Sequence, residues 1–225
     1  MPDSLSTVLF DLDDTLLDSF DARFKTLQSV LSRANITHPT AEQFLRSLNG
    51  TLLKDALAKL EETLKIENNL FEDYRRTYWA KKPGLIRLYP GVKSILERLH
   101  SRGVKLGVVT QKVRLFDIDG HSAGASKGLE ELDIADLFSV VVGFEDVSQY
   151  KPDPEPIIIA LNNLTVQPRE ALMVGDSAAD IESARAAGCW TCYVTWGLPS
   201  VLQTSDTIQA DLTAEAPEAI LEFNL

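Results

Sequence analysis

The chain has 225 residues, with 33 Asp and Glu against 22 Lys and Arg for a formal net charge of −11, a length that suits one large domain or a core with a modest insertion. The negative charge opposes non-specific attraction to a phosphate backbone or an anionic membrane surface, so neither nucleic acid nor a membrane is an expected partner. No apolar stretch approaches the roughly 20 residues of a membrane span, and Met1-Pro2-Asp3-Ser4 lacks the basic-then-apolar order of a secretory leader, so a cytoplasmic location is expected.

In chain order, the first apolar run, 5–10, reads as a buried strand and ends on Asp11-Leu12-Asp13-Asp14-Thr15-Leu16. Two carboxylates so spaced, on a turn leaving a buried strand, can aim at one point, one to attack phosphorus and one to pass a proton. Asp is also a favoured helix N-cap, and this segment alone does not separate the two readings. From 20 to 80 the pattern changes. Phe20, Phe24, Leu27, Val30 and Leu31, then Leu53, Leu57, Leu60 and Leu64, recur at helical spacing with no strand-like run between them. This stretch is expected to be an all-helical insertion hinged at Leu17-Asp18-Ser19 and Lys82-Pro83-Gly84-Leu85. The expected division is therefore a core of residues 1–17 and 85–225 interrupted by a helical cap of residues 18–84.

From 85 onward apolar runs alternate with helical patterns, which predicts βαβ units around a parallel sheet. Strands are expected at 104–109, 139–143, 171–175 and 191–196, with a short edge strand near 208–212. In an open parallel sheet, ligands collect in the crevice beyond the carboxyl ends of the strands. Four polar residues stand there: Asp11, Thr110 after Val108-Val109, Lys151 beyond Val140-Val141-Val142, and Asp176 after Leu172-Met173-Val174-Gly175. Two carboxylates, a hydroxyl and an ammonium can hold a divalent cation and a phosphate together. Each residue also has a plainer reading. Thr110 can donate to a phosphate oxygen or simply finish a strand as a β-branched residue. Asp176, supported by Asp180 one turn on, can ligate a metal or cap the helix that follows. Lys151 precedes Pro152-Asp153-Pro154-Glu155-Pro156, whose prolines stiffen the approach to a helix beginning near Glu155 and so can hold the ammonium beside a transferring phosphoryl group.

Other patterns carry less. Gly120-His121-Ser122-Ala123-Gly124 matches the Gly-x-Ser-x-Gly nucleophile elbow, but the preceding Phe116-Asp117-Ile118-Asp119 is half acidic and no His follows His121. The Gly- and Ser-rich stretch 117–128 is expected to be an exposed loop. Cys189 and Cys192 have the spacing of a redox pair or half a zinc site without the partners to complete one, and read as buried thiols. There is no Gly-x-Gly-x-x-Gly after the first strand and no Gly-Lys-Ser/Thr loop, which argues against a nucleotide role.

Taken in this order and at these spacings, the four segments resemble the haloacid-dehalogenase superfamily of phosphohydrolases over nearly the whole chain. They are similar to that family's Asp-x-Asp-x-Thr, its strand-end Ser/Thr, its Lys-Pro and its Gly-Asp-x-x-x-Asp. The resemblance implies an α/β fold, a Rossmann-like parallel sheet core with helices on both faces and an inserted α-helical cap of type one. It makes Asp11 the nucleophile and a ligand of Mg2+, Asp13 the general acid/base and a metal ligand through its backbone carbonyl, and Asp176 the remaining metal carboxylate, with Asp180 and Ser177 in support. Thr110, Lys151, Gln111 and Thr15 are the expected phosphate- and substrate-binding residues. They are joined by Gly50, since Leu48-Asn49-Gly50-Thr51-Leu52-Leu53 resembles the substrate loop of phosphoglycolate-phosphatase-like members. The cap bases Arg46, Lys54, Arg75 and Arg76 read mainly as solvated helix faces. Asp14 stands where the family usually has Gly, and Gln111 where it usually has Asn. The implied function is magnesium-dependent hydrolysis of a small phosphorylated metabolite, phosphoglycolate-phosphatase-like, through an aspartyl-phosphate, by a monomer or homodimer. A phosphomutase of the β-phosphoglucomutase type and an inorganic pyrophosphatase of the same family are the alternatives, and a non-catalytic binding module is disfavoured by the complete acidic set.

Overall fold

The computed structural model describes residues 5–48, 51–80, 86–118, 120–197 and 208–223; Gly50 and the Lys82-Pro83-Gly84-Leu85 hinge lie outside them. In chain order the elements are β1 (Thr7–Phe10), β2 (Leu17–Asp18), α1 (Phe20–Arg33), α2 (Ala41–Ser47), α3 (Leu53–Leu64), α4 (Leu70–Ala80), β3 (Arg87–Leu88), α5 (Val92–Ser101), β4 (Lys105–Val109), β5 (Phe116–Ile118), β6 (His121–Ala123), α6 (Ala125–Glu131), β7 (Val140–Val142), α7 (Glu155–Leu164), β8 (Ala171–Gly175), α8 (Ala178–Ala187), β9 (Trp190–Val194) and β10 (Leu212–Ala214). The chain divides into two compact units, Met1–Asp18 with Arg87–Asp117 and His121–Leu225, and Ser19–Ile86 with Ile118–Gly120.

The first unit is built on a six-stranded sheet in the order β10-β9-β8-β1-β4-β7, and every pairing in it is parallel. Every residue of β1 and β8 is buried, as is all of β4 except Lys105, which is why these strands are continuous apolar runs rather than alternating ones. Leu9, Val109, Ala171 and Met173 pack with Ile157, Ala160, Leu161 and Leu164 of α7 and Ala184 of α8. The alternate residues Val8, Phe10, Leu106, Val108, Leu172 and Val174 are also buried and point to the opposite face. There α5, with Val92, Ile95, Leu96 and Leu99 inward, packs on β4. This is the α/β architecture expected from the sequence.

The second unit is helical. Leu27, Val30 and Leu31 of α1, Phe44 of α2, Leu57 and Leu60 of α3, and Leu70, Tyr74 and Tyr78 of α4 form one apolar cluster. The helical spacing of the leucines is thus a core-facing stripe, apart from Leu64, which is 39% exposed. Among the described residues no helix is long and apolar enough to cross a membrane.

Three local features depart from expectation. The edge strand forms at Leu212–Ala214 rather than 208–212, because the Asp211 carboxylate accepts from both the backbone N–H and the hydroxyl of Thr191 (2.9 and 2.6 Å) and the ladder starts after that clamp. Leu17–Asp18 and Arg87–Leu88 form a two-residue antiparallel ribbon tied by the Arg87–Asp18 ion pair. The stretch expected to be an exposed loop contains the paired strands β5 and β6 and then the start of α6. Its base is fixed where Glu145 accepts from the backbone N–H groups of Arg114 and Leu115 at 2.8 Å each, and Gly120 supplies a left-handed turn residue at φ 80°. Cys189 and Cys192 are free and buried, and burial alone pushes both thiols up to about 12.

Candidate active site

A parallel register aligns strand ends, so the residues that follow β1, β4 and β8 share one edge of the sheet. Phe10 lies opposite both Val108 and Val174. The ladder also continues into the site, since Asp11 N donates to Val174 O and Thr110 N to Val142 O, each at 2.9 Å. These backbones are held as rigidly as the strands themselves.

Lys151 comes to the same edge and is 5% exposed. Its Nζ donates to Asp11 Oδ1 and Asp180 Oδ1 at 2.6 Å each and to Val109 O at 2.9 Å, which uses all three ammonium protons. Asp180 is turned toward it by a reciprocal cap at the start of α8. Ser177 Oγ and N donate to Asp180 Oδ2 (2.6 and 3.1 Å), and Asp180 N returns a bond to Ser177 Oγ at 3.3 Å. The helix cap is therefore Ser177 with Asp180, and Asp176 stands one residue before it with its carboxylate aimed elsewhere.

Carboxylate oxygens of Asp11, Asp176 and Asp180 all lie within 4.8 Å of one another. Hard oxygen donors at that spacing suit a divalent cation such as Mg2+. Asp11 and Asp180 share one ammonium and Asp176 adds a third carboxylate beside them, a formal excess of two negative charges that a divalent cation matches, so the donor set fits the metal implied by the sequence. The electrostatics carry the same imbalance. Burial pushes the Asp11 carboxyl up to about 7, and Asp180 and Asp13 add to this, although Lys151 pulls it down. Burial works against the charge on Lys151, but Asp11 and Asp180 outweigh it and hold the ammonium above its ordinary value.

The remaining expected residues fall into different places. The Asp13 carboxylate is not in the acidic cluster; its Oδ1 accepts from Lys112 Nζ at 2.7 Å. Thr110 sits at the strand end with its Oγ1 accepting from Lys112 N at 3.1 Å. Thr15, expected on the phosphate, is fully buried and gives its hydroxyl to Asp176 Oδ1 at 3.2 Å, because the turn after Asp14 folds the side chain under the site. Gln111, expected on the substrate, donates from Nε2 to Lys151 O at 3.1 Å and so holds the lysine's loop. Asp14 has φ 61°; a left-handed backbone favours Gly, and Asp is among the few side chains that tolerate it, which accounts for the departure from the family pattern. Gly50 is among the residues outside the description.

Three residues near this edge escape the motif reading. Lys112 lies two residues beyond Thr110. Trp196, just past β9, donates from Nε1 to Thr15 O at 2.9 Å, and Tyr89 Oη donates to Gly197 O at 2.6 Å. Lys112 lies within three residues of a strand end that the sequence marks, whereas Trp196 falls inside the strand expected at 191–196, which in fact ends at Val194.

Gly175 is required by proximity. A Cβ there would lie 2.5 Å from both Cβ and Cγ of Asp180. Gly175→Ala is expected to cost about 1–3 kcal/mol through overpacking against Asp180. Chemical denaturation checks the effect.

The profile of the haloacid dehalogenase-like hydrolase family matches residues 8–194. Pyrophosphatase PpaX of Oceanobacillus iheyensis is 31% identical over 195 residues, 87% of this chain and 86% of that protein. The phosphoglycolate phosphatase of Salmonella typhimurium is 33% identical over 215 residues, covering 84% of this chain and 81% of that protein. A crystal structure from Haemophilus somnus, described as a predicted phosphoglycolate phosphatase, superposes with a TM-score of 0.77 at 25% identity, covering 98% of each chain.

Proposed function

Because the chain belongs to the haloacid dehalogenase-like hydrolase family, we propose that it is a magnesium-dependent phosphatase that hydrolyses a small phosphorylated metabolite through an aspartyl-phosphate on Asp11. The observation that carries this reading is the buried meeting of Asp11, Asp176 and Asp180 at the carboxyl edge of the sheet, with Lys151 bonded to Asp11 and Asp180. Bound among these acids, magnesium would supply positive charge to the phosphoryl oxygens.

The rest follows from the chain's own groups. An Asp11 carboxylate oxygen bonds to phosphorus as the ester oxygen leaves, and Asp13 protonates the departing alkoxide. Asp13 then takes a proton from the water that attacks the aspartyl-phosphate, which releases phosphate and restores Asp11. Lys151 and Thr110 hold the phosphoryl group in line, since positioning and charge stabilisation supply most of the catalysis in phosphoryl transfer. Thr15 and Ser177 act behind this set by orienting Asp176 and Asp180.

Relatives named phosphoglycolate phosphatase favour a small phosphorylated carboxylic acid as substrate. Relatives named pyrophosphatase PpaX favour a second reading, inorganic pyrophosphate. The test is phosphate release from phosphoglycolate, other small phosphomonoesters and pyrophosphate, each with Mg2+ and with a chelator. Magnesium-dependent release from a monoester is expected. Release confined to pyrophosphate would select the second reading, and equal release without any divalent ion would overturn the metal assignment.

A further inference from the structure

The Asp13 carboxylate is gripped by a side chain that none of the four motifs accounts for. Lys112 Nζ lies 2.7 Å from Asp13 Oδ1, with the two side chains only 16% and 19% exposed. An ion pair so covered is screened much less than a surface pair. The lysine is also delivered from an anchored loop. Lys112 N donates to Thr110 Oγ1 at 3.1 Å, and Lys112 O accepts from Phe144 N at 2.8 Å. Gly143 permits that approach, since a Cβ there would stand 2.8 Å from Lys112 O and 2.5 Å from Arg114 N. One step on, the Arg114 guanidinium is bidentate on Asp146, with Nε 2.8 Å from Oδ2 and Nη2 3.0 Å from Oδ1. A mobile surface arm would have none of these fixings.

Resting on the phosphatase reading, we propose that Lys112 is the positioning residue for Asp13. Its ammonium engages Oδ1 and so restrains the carboxyl group that exchanges the proton. In the first half-reaction the bond from Asp11 to phosphorus forms, the bond from phosphorus to the leaving oxygen breaks, and the Asp13 carboxyl proton passes to that oxygen. In the second, a water oxygen bonds to phosphorus, one water proton returns to Asp13, and the bond from Asp11 to phosphorus breaks. One carboxyl group serves both transfers, so one restrained orientation suits both.

The test uses rapid mixing with p-nitrophenyl phosphate and Mg2+ for wild type, Lys112→Met, Lys112→Arg, Asp13→Asn and the Met/Asn double variant. Steady-state kcat of Lys112→Met is expected to fall about 10- to 100-fold, short of the roughly 10²- to 10⁴-fold that general acid–base catalysis supplies in full, with KM falling alongside it because the second step becomes rate-limiting. Nitrophenolate leaves without needing a proton, whereas hydrolysis of the aspartyl-phosphate still needs Asp13. The variant is therefore expected to give a burst of about one nitrophenolate per active site before the slow phase. Lys112→Arg should recover most of kcat, and the double variant should be no slower than Asp13→Asn alone, as expected of coupled residues. Circular dichroism checks folding, and Lys112→Gln, a neutral polar side chain of similar length, repeats the measurement should the Met variant unfold. A raised KM at unchanged kcat would make Lys112 a substrate-anion binder and overturn the proposal, as would a missing burst or additive effects. A wild type inactive on every ester overturns the phosphatase reading as well, whereas an active wild type matched in kcat by Lys112→Met overturns only the role of Lys112.

Discussion

Asp11→Asn is expected to remove turnover while leaving the metal-free protein as stable as the wild type, or more so. Loss of a nucleophile that nothing replaces lowers kcat by roughly 10⁴-fold or more. Stability moves the other way for an electrostatic reason. Burial raises the Asp11 carboxyl to about 7 in the folded chain, so the folded state binds this proton more tightly than the unfolded one. Stability from this group is then fully present below the unfolded value and declines as pH rises toward 7. At pH 8 the ionised side chain is a burden that Asn does not carry, while the amide oxygen still accepts from Lys151, which keeps Asp180 as its partner. The variant should melt at or above the wild-type temperature at pH 8 without magnesium, and the advantage should shrink as the pH is lowered toward 5. Magnesium-dependent turnover above about 1% of wild type would be incompatible with a nucleophile whose loss is this large. A lower melting temperature at pH 8 would place the cost of the acidic cluster elsewhere.

What was legible in the sequence follows the strength of the physical signal. Val8-Leu9-Phe10 and Leu172-Met173-Val174 read as buried strands because a parallel sheet covered on both faces demands unbroken apolar runs, and their ends led directly to Asp11 and Asp176. The helical insertion was legible from leucines at a period close to 3.6. The ribbon of Leu17–Asp18 with Arg87–Leu88 was not, because two residues cannot display a period. The hairpin at 116–123 did carry a signal, an Asp-Gly pair between two short runs, but its strands Phe116–Ile118 and His121–Ala123, three residues each, are too short to show alternation and read as loop. At the site, residue types identified the carboxylates and the lysine, but not which group each would face. Thr15 folds beneath the site onto Asp176 and Gln111 onto the Lys151 carbonyl. Side-chain direction depends on turn geometry and on what lies across the edge, which spacing along the chain does not encode.

Lys151→Met is expected to be the most damaging change to the metal-free protein. Breaking a buried pair by removing one partner costs about 3–5 kcal/mol, because it leaves uncompensated charge behind. Here the ammonium serves both Asp11 and Asp180 at 2.6 Å. The pH dependence identifies the cause. In the wild type, Lys151 is held above its ordinary value of 10.5, so its own titration contributes a constant amount across pH 5 to 8 and is lost only in the alkaline range. The variant leaves clustered acids with no counter-charge, and burial together with mutual repulsion raises their folded-state values further. A carboxylate raised in this way is tolerated when protonated and destabilises as it ionises. The stability gap between variant and wild type should therefore be smallest near pH 5 and widest near pH 8, read from urea midpoints with magnesium chelated. Added magnesium should narrow the gap at pH 8, since binding to the folded state alone supplies the missing positive charge. A gap independent of pH would assign the loss to packing of the lysine stem. A gap that widens toward pH 5 would reverse the assignment of charge within the site.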